Sequence, residues 1–326
     1  MIASSPVRFS RVDARAAVEG KLRFRGGVAL ASSDRDFGGL SGLLVSADGS
    51  RFVAVTDEAH WVTGSLEYEG GNLLRAVGDT IAPLLDLESK PLADKAGDAE
   101  GLASTSGNDI SGDIIVSFEG DHRVWRYPFE KSGVHAVPVN VPIPAEVHGA
   151  PRNGGLEGIT LYTDDMLFGV SERYRDEAGD YRAWFIPLPR TDSSAKSGGM
   201  EGTAALPTGR AVSLRPIHPF AMTDVRRLAD GDLLTLERRY SAVKGVGSQL
   251  RRIPRAAIEA AAATGAAAPL DGELVADFDA AYEIDNMEGL AVRVGESGET
   301  LVYTVSDDNF NRPVQSTLLL MYELLP

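Results

Sequence analysis

The stretch Asp285–Arg293, DNMEGLAVR, places an acid, Glu288, directly before a glycine and a short apolar run. A short apolar run bounded by turn residues is typical of a buried strand. A carboxylate beside such a strand is costly to remove from water unless another group pairs with it. The stretch therefore raises the question of which group lies opposite Glu288.

The same pattern recurs along the chain. Clear copies are GDAEGLAST (Gly97–Thr105) and NGGLEGITL (Asn153–Leu161); weaker ones are FGGLSGLLV (Phe37–Val45), with a serine for the acid, and PFAMTDVRRL (Pro219–Leu228). The anchor residues are 59, 57, 67 and 64 positions apart, and they are Ser41, Glu100, Glu157, Asp224 and Glu288. Self-similarity at such a period indicates a repeat architecture.

Each copy continues through a turn rich in glycine and aspartate into a second apolar run that ends in an acid. Two such runs joined by a tight turn predict a β-hairpin. The acids that end the second runs are Asp57, Glu119, Glu172, Glu237 and Asp307 with Asp308. The spacing leaves room for two further strands per unit, and candidate third strands are His122–Phe129, Tyr181–Leu188, Gln249–Pro254 and Ser316–Leu325.

Four antiparallel strands repeated around an axis predict an all-β fold, a β-propeller. We expect five four-stranded blades, or six if a long segment between motifs holds another. The last unit stops after its third strand, so the N-terminal run Lys21–Ala31 is expected to pair with the last blade and close the ring. Residues 1–326 are expected to form a single domain, with 1–20 extended or flexible.

Two other segments have clear local signals. Pro254–Gly265 is rich in alanine and ends in glycine, which predicts a helix. Asp192–Gly202 is rich in serine and glycine, which predicts a mobile loop.

Composition excludes several classes of function. The chain has 326 residues, a net charge of −15 and no cysteine, which argues against nucleic-acid binding and excludes disulfides and thiolate metal sites. No apolar run is long enough to span a membrane, and the first residues lack the apolar core of a signal peptide.

The repeated acids are the candidate site. In a propeller the first strand of each unit lines the axis, so we expect Glu100, Glu157 and Glu288 to meet at one opening as a metal-ligand core. The acids that end the second runs, Glu237 among them, are expected to form a second ring around these three, with Asp57 and Asp307 as further ligands. Carboxylates gathered in one pocket raise each other's pKa, and a hard oxygen-binding cation relieves this. The predicted cofactor is therefore Ca²⁺, since zinc favours cysteine and histidine.

Arginines follow the acids and leave an alternative open. Arg123, Arg173 and Arg238 stand just after the second-run acids, so they are placed either to form a structural ring with the glutamates or to clamp an anionic substrate. In a hydrolase, the groups predicted to move protons are Glu119, Glu172 and His122.

Taken together, FGGLSGLLVSADGSRFVAVTDE, IIVSFEGDHRVWRY, LADGDLLTLERRYS and DNMEGLAV with VSDDNFN resemble the phytase-like family, described by an esterase-like activity of phytase. The resemblance runs from Phe24 to Leu325. It implies a propeller fold, a phosphoesterase- or esterase-like activity and a periplasmic or secreted location. We expect a calcium-dependent hydrolase of phosphate or carboxylic esters at the propeller mouth, a monomer whose partner is a small anionic or ester substrate. The alternative is a non-enzymatic extracytoplasmic binding propeller with a structural Glu/Arg ring.

Overall fold

The computed structural model describes residues 2–92, 97–189, 209–241, 243, 245–264, 268–312 and 314–326. Helix is confined in this part of the chain to α1 (Phe129–Ser132), α2 (Arg255–Thr264) and short 3₁₀ turns. The helix predicted over Pro254–Gly265 is confirmed as α2, and the predicted loop Asp192–Gly202 lies outside the described residues. No described helix is long and apolar enough to cross a membrane.

The strands follow one another as antiparallel neighbours. Three strands precede the first repeat: β1 (Ile2–Pro6), β2 (Val18–Glu19) and β3 (Leu22–Ser32). The first unit is β4 (Leu40–Val45), β5 (Arg51–Thr56), β6 (His60–Glu69) and β7 (Asn72–Pro83). The second unit is β8 (Ala99–Ser104), β9 (Ile114–Phe118), β10 (Arg123–Tyr127) and β11 (Val139–Val141).

Three further units complete the repeat. The third is β12 (Leu156–Thr163), β13 (Met166–Arg175), β14 (Tyr181–Pro187) and β15 (Arg210–Leu214). The fourth is β16 (Ala221–Arg227), β17 (Leu233–Ser241), β18 (Gly245–Ile253) and β19 (Glu273–Phe278). The last unit contains β20 (Asn286–Val294), β21 (Thr300–Asp307) and β22 (Thr317–Leu324).

The first strands of the units, β4, β8, β12, β16 and β20, contact one another in a closed ring, so the fold is a β-propeller. The predicted ring closure is confirmed, because β22 pairs antiparallel with β3 from Thr317 opposite Leu30 to Leu324 opposite Leu22. Strand β1 also pairs with both β3 and β7, which joins the last and first units into one ten-stranded sheet. The blade count therefore stays a prediction.

Apolar side chains pack between neighbouring units. Trp61 of the first unit is fully buried and meets Tyr127 of the second edge to face, with 5.2 Å between the ring centroids. At about 25 cal/mol per Å² of apolar area, such contacts supply the main stabilisation of the ring. The innermost strand β4 is buried along its whole length.

Every innermost strand carries a β-bulge at the repeated motif. The pairing register shifts between Leu40 and Gly42 in β4 and between Met287 and Gly289 in β20, with matching shifts in β8, β12 and β16. A bulge leaves one residue out of the ladder and re-aims its side chain. In the fourth unit the skipped residue is Thr223. The alignment of Asp224 with the other acids was therefore wrong by one position, and Asp224 stands where the other copies have glycine.

The glycine of the motif is needed where adjacent innermost strands touch. A Cβ at Gly101 would lie 2.4 Å from the carbonyl oxygen of Glu157, and one at Gly158 would lie 2.7 Å from the backbone nitrogen of Val225. No side chain fits at these distances, so glycine lets the backbones of neighbouring units approach. This close ring brings the bulged acids to one opening.

Candidate functional site

The acids of several units converge on a cavity of about 240 Å³ at one end of the central axis. Its wall carries eight carboxylates and two guanidinium groups: Asp57, Asp98, Glu100, Glu119, Glu157, Glu172, Glu288, Asp307, Arg173 and Arg238. The start of each innermost strand and the end of its antiparallel neighbour lie at the same end of the hairpin that the two strands form. That geometry explains why the two predicted sets of acids share one cavity.

Among the three predicted core ligands, Glu100 is the one that lies in a cluster of three carboxylates close enough together to bind one metal ion. One carboxylate oxygen from each of Asp98, Glu100 and Glu119 lies within 4.8 Å of the others. The predicted partners Glu157 and Glu288 line the same cavity. Asp98 was missed because it precedes the repeated acid. Its spacing was a usable signal, since residues two apart on a strand share a face and Asn286 takes the same place before Glu288.

Burial and mutual repulsion disfavour the charged forms of these acids. Burial raises the pKa of Glu100 well above its ordinary value, and the nearby Glu119 and Asp98 raise it further. Burial likewise raises the pKa of Glu157, with Glu100 and Glu119 adding to it. Without a cation, the cavity therefore holds protons at pH values where exposed carboxyls are ionised.

Asp57 places a buried carboxylate oxygen in the cavity wall. Its Oδ1 is buried and has no hydrogen-bond partner among the described residues. Burial, followed by repulsion from Asp307 and Asp98, raises the pKa of Asp57 to about 8. Burial also raises the pKa of Asp307 to about 6, although the backbone N–H of Asn309 stabilises its charged form. A buried carboxylate oxygen without a donor fits a cation ligand.

Glu119 and Glu157 form a carboxyl pair. Glu119 Oε1 accepts a hydrogen bond from the backbone N–H of Gly155 at 2.5 Å, and the Glu119 side chain is also hydrogen bonded to Glu157. Burial raises the pKa of Glu119, whereas these two hydrogen bonds lower it. Two hydrogen-bonded carboxyls share a proton, so the pair is suited to accept and return one.

The group opposite Glu288 is Arg238. Its Nε lies 2.7 Å from Glu288 Oε1, and its Nη2 lies 3.4 Å from Glu172 Oε1. Burial raises the pKa of Glu288 to about 8 even though Arg238 lowers it. Burial lowers the pKa of Arg238, but Glu288 and Glu172 raise it by more. Arg173 adds a second pairing, with its Nε 2.6 Å from Glu172 Oε2.

Ion pairing with arginine, the alternative to metal binding, is thus found for Glu172 and Glu288. Within the described ranges, no arginine forms an ion pair with Asp57, Glu100 or Glu157. The two guanidinium groups leave most of the carboxylates on the cavity wall without a neutralising partner.

In the fourth unit both acids are paired away from the cavity. Asp224 Oδ1 lies 2.7 Å from Arg226 Nη1, with both side chains buried. Glu237 pairs with Arg251 and accepts a hydrogen bond from Gln249 at 2.7 Å. The expectation that Glu237 joins a second ring of acids was therefore wrong, because its buried partner arginine holds it within its own sheet.

Two predicted residues do not line the cavity. His122 is buried, and its Nε2 lies 3.0 Å from the carbonyl oxygen of Pro151. The Arg123 guanidinium stacks over Phe118 and Trp125, 4.1 and 4.5 Å from the ring centroids. Arg123 and Trp125 share a face of β10 because side chains on a strand alternate. That face packs against the first unit, where Trp125 belongs to one core cluster with Val55 and Trp61.

The family model described as "Phytase-like: Esterase-like activity of phytase" matches residues 35–310. No curated protein sequence matches the chain. Among solved structures, the periplasmic gluconolactonase PpgL of Pseudomonas aeruginosa is 13% identical, with a TM-score of 0.40 and coverage of 100% of this chain and 97% of that one.

Two other solved structures are similar over nearly the whole chain, also at low identity. The Cps50 (Swd1) β-propeller domain of Myceliophteria thermophila is 11% identical, with a TM-score of 0.39 and 98% of each chain covered. The WD40 repeats of RRP9 are 10% identical, with a TM-score of 0.42 and coverage of 98% of this chain and 100% of that one. These likenesses carry no argument about activity.

Proposed function

This chain belongs to the phytase-like family, described by an esterase-like activity of phytase, and we propose that it is a divalent-cation-dependent hydrolase of phosphate or carboxylic esters. The observation that carries the proposal is the axial cavity, where eight carboxylates face two arginines and Asp57 Oδ1 has no partner among the described residues. Such an excess of buried negative charge requires protons or a cation.

The donor set fits Ca²⁺. All the donors are carboxylate oxygens, three from the second unit and the others from the first and last units, and Ca²⁺ takes about 6–8 oxygen ligands in flexible geometry. Asp98, Glu100 and Glu119 would hold it, with Asp57 and Asp307 on the same wall. A bound Ca²⁺ supplies polarisation of the substrate P=O or C=O oxygen and a lower pKa for a bound water.

The remaining groups would handle the proton and the substrate. Glu157, which is hydrogen bonded to the ligand Glu119, would take the proton of the attacking water and return it to the alkoxide that leaves when the ester P–O or C–O bond breaks. The Arg173 side chain is 57% exposed at the mouth, so its free guanidinium donors are available to an anionic substrate.

The test is calorimetric titration of EDTA-treated protein with Ca²⁺ at pH 8, followed by turnover of 4-nitrophenyl phosphate and 4-nitrophenyl acetate with and without EDTA. We expect Ca²⁺ binding, and turnover that EDTA abolishes. Glu100→Gln should weaken Ca²⁺ binding at least about tenfold, since a charged ligand is lost. The matched control is Glu58→Gln, which removes the same charge from an exposed neighbour of Asp57. Equal Ca²⁺ affinity in both variants would exclude the proposed ligand role.

A second candidate is a non-enzymatic binding propeller. The observation in its favour is the Arg238 guanidinium, which forms ion pairs with Glu172 and Glu288 from two different units. This reading requires that Ca²⁺ neither binds nor raises the melting temperature and that neither ester is hydrolysed.

A further inference from the structure

The loop between β21 and β22 contains two consecutive non-glycine residues with left-handed backbone conformations. Asn309 has φ 46° and Phe310 has φ 51°. Elsewhere in the described chain, Ala59 and Ser89 adopt positive φ singly. Asparagine tolerates this region better than most residues, but a bulky aromatic rarely adopts it. Such a conformation persists only where the surrounding contacts enforce it, and it is concentrated at functional sites.

A network of hydrogen bonds enforces this loop. Asp307 Oδ1 accepts the backbone N–H of Asn309 at 2.6 Å. The buried Asp308 Oδ1 accepts the N–H of Phe310 at 3.1 Å and that of Gly39 at 3.2 Å. The loop of the last unit is therefore tied to the residues that lead into the first unit.

A second tie lies a few residues further on. Arg312 donates to the carbonyl oxygens of Ser32 and Asp34 at 3.2 and 3.1 Å, and also to that of Phe37. The segment before β4 is thus hydrogen bonded to the loop at several residues. The loop is held from both sides, so the position of Asn309 is preorganised before any ligand binds.

Glycines make room for the aromatic ring of the loop. A Cβ at Gly38 would lie 2.9 Å from Phe310 Cδ1, and a Cβ at Gly39 would lie 2.8 Å from Phe310 Cε2. Both glycines have positive φ, 137° and 59°, so other residues are disfavoured there on two grounds. The Phe310 ring packs here beside Asp57, and the preceding residue, Asn309, lines the cavity.

The carboxamide of Asn309 is available to a ligand. Asn309 is exposed at the rim of the cavity, and its side chain makes no hydrogen bond within the described residues. Asn286 on the same wall differs, because its Nδ2 donates to Glu288 at 2.8 Å. At a mouth lined with acids, a neutral donor can contact an anionic group without adding repulsion.

We propose that Asn309 is a substrate-binding residue whose carboxamide N–H donates to the phosphoryl or acyl oxygen that gains negative charge in the reaction. This inference rests on the proposed hydrolase function. The cavity wall already offers the oxygen ligands that a cation needs, and Asn309 stands at the rim above them. A donor held rigidly where charge develops is the arrangement that lowers a barrier most effectively.

The test compares Asn309→Gly with Asn309→Ala in the Ca²⁺-loaded full chain. Both variants lack the amide, but alanine is strained at φ 46° and glycine is not. We expect kcat/KM for 4-nitrophenyl phosphate or acetate to fall about 10- to 100-fold in both. The alanine variant should melt about 2 °C or more below the glycine variant. The rise in melting temperature caused by Ca²⁺ should be the same as in the wild type.

Ser89→Gly is the matched control. Ser89 has φ 66° in an exposed turn, so glycine relieves the same kind of strain away from the cavity. We expect it to leave turnover unchanged. If Asn309 only supports the backbone, activity should follow stability, and the glycine variant should retain wild-type turnover. That result would overturn the inference.

Binding of inorganic phosphate and of acetate to the Ca²⁺-loaded protein, measured by calorimetry, separates the two failures. Wild-type protein that turns over neither ester and binds neither anion refutes the proposed function, and this inference falls with it. Wild-type turnover or anion binding that Asn309→Gly leaves intact refutes only the role of Asn309.

Discussion

Asp57→Asn should stabilise the cation-free protein, although it alters a residue on the cavity wall. Asp57 is raised to a pKa of about 8 from 3.8, with burial as the main cause and repulsion from Asp307 and Asp98 adding to it. Its folded pKa exceeds its unfolded pKa, so its contribution to stability is fully present below pH 3.8. That contribution is lost as the pH rises to about 8.

The size of the effect follows from the shift. A difference of about 4 pKa units corresponds to about 6 kcal/mol at most, since each unit is worth about 1.4 kcal/mol. Asparagine has the same shape, carries no charge and offers an N–H₂ to the acids nearby. We therefore expect Asp57→Asn to raise the free energy of unfolding in EDTA by about 3–6 kcal/mol at pH 8. The gain should be near zero at pH 4, where Asp57 is protonated when folded and about half protonated when unfolded.

The assay is urea unfolding of wild type and Asp57→Asn in EDTA at pH 4 and pH 8, repeated at pH 8 with Ca²⁺. Ca²⁺ should stabilise the wild type, because binding to the folded state alone adds free energy. It should stabilise the variant less, because one anionic ligand is gone. Glu58→Gln removes a charge from the exposed neighbour of Asp57 and should change stability by less than about 0.5 kcal/mol.

A variant that is less stable than wild type at pH 8 in EDTA would refute this reasoning. It would mean that the Asp57 carboxylate is stabilised by a donor rather than strained by its neighbours. A stability gain of equal size at pH 4 and pH 8 would also refute it, because titration could not then be the cause.

Three other changes test separate parts of the structure by urea unfolding. Arg226→Met leaves the buried Asp224 unpaired and should cost about 3–5 kcal/mol at pH 8 but clearly less at pH 5, since burial already raises the pKa of Asp224 to about 7; equal losses at both pH values would contradict this. Gly158→Ala should cost about 2–4 kcal/mol, because its Cβ would lie 2.8 Å from the Cα of Asp224, whereas Gly149→Ala should cost less. Arg238→Met should destabilise the protein in EDTA by about 1–3 kcal/mol yet increase Ca²⁺ affinity in calorimetry, and an unchanged or weaker affinity would favour the structural Glu/Arg ring.

The fold was predictable from sequence because each unit needs the same local structure, a bulged innermost strand that contacts the next one at a glycine. The acid–glycine pair recurs since every innermost strand bulges at the acid and touches its neighbour at the glycine, as at Gly101 and Gly158. Closure by the run before β4 was also predictable, since the last unit lacks a fourth strand. Pairing of β1 with β7 was not, because Ile2 belongs to no repeat and its partner Gly78 lies in the first unit.

The site was predictable only where repetition marked it. The fourth unit shows the limit, because its acid Asp224 is shifted by one residue and turned to Arg226, a detail that only the bulge register reveals. Closeness along the chain also misled: His122 and Arg123 follow Glu119, yet the alternation of β10 turns Arg123 onto Phe118.

The unequal copies have a physical meaning. Identical acids in every unit would crowd one opening with repelling charges, and each added carboxylate would raise the pKa of the others. The chain instead places serine in the first unit and threonine in the fourth, at Ser41 and Thr223, and supplies Arg238 beside Glu288. Negative charge is thereby concentrated towards the second and third units, around Glu100 and Glu157. A structural ring has no need for such asymmetry, whereas a site that binds a cation at one place and a substrate at another does.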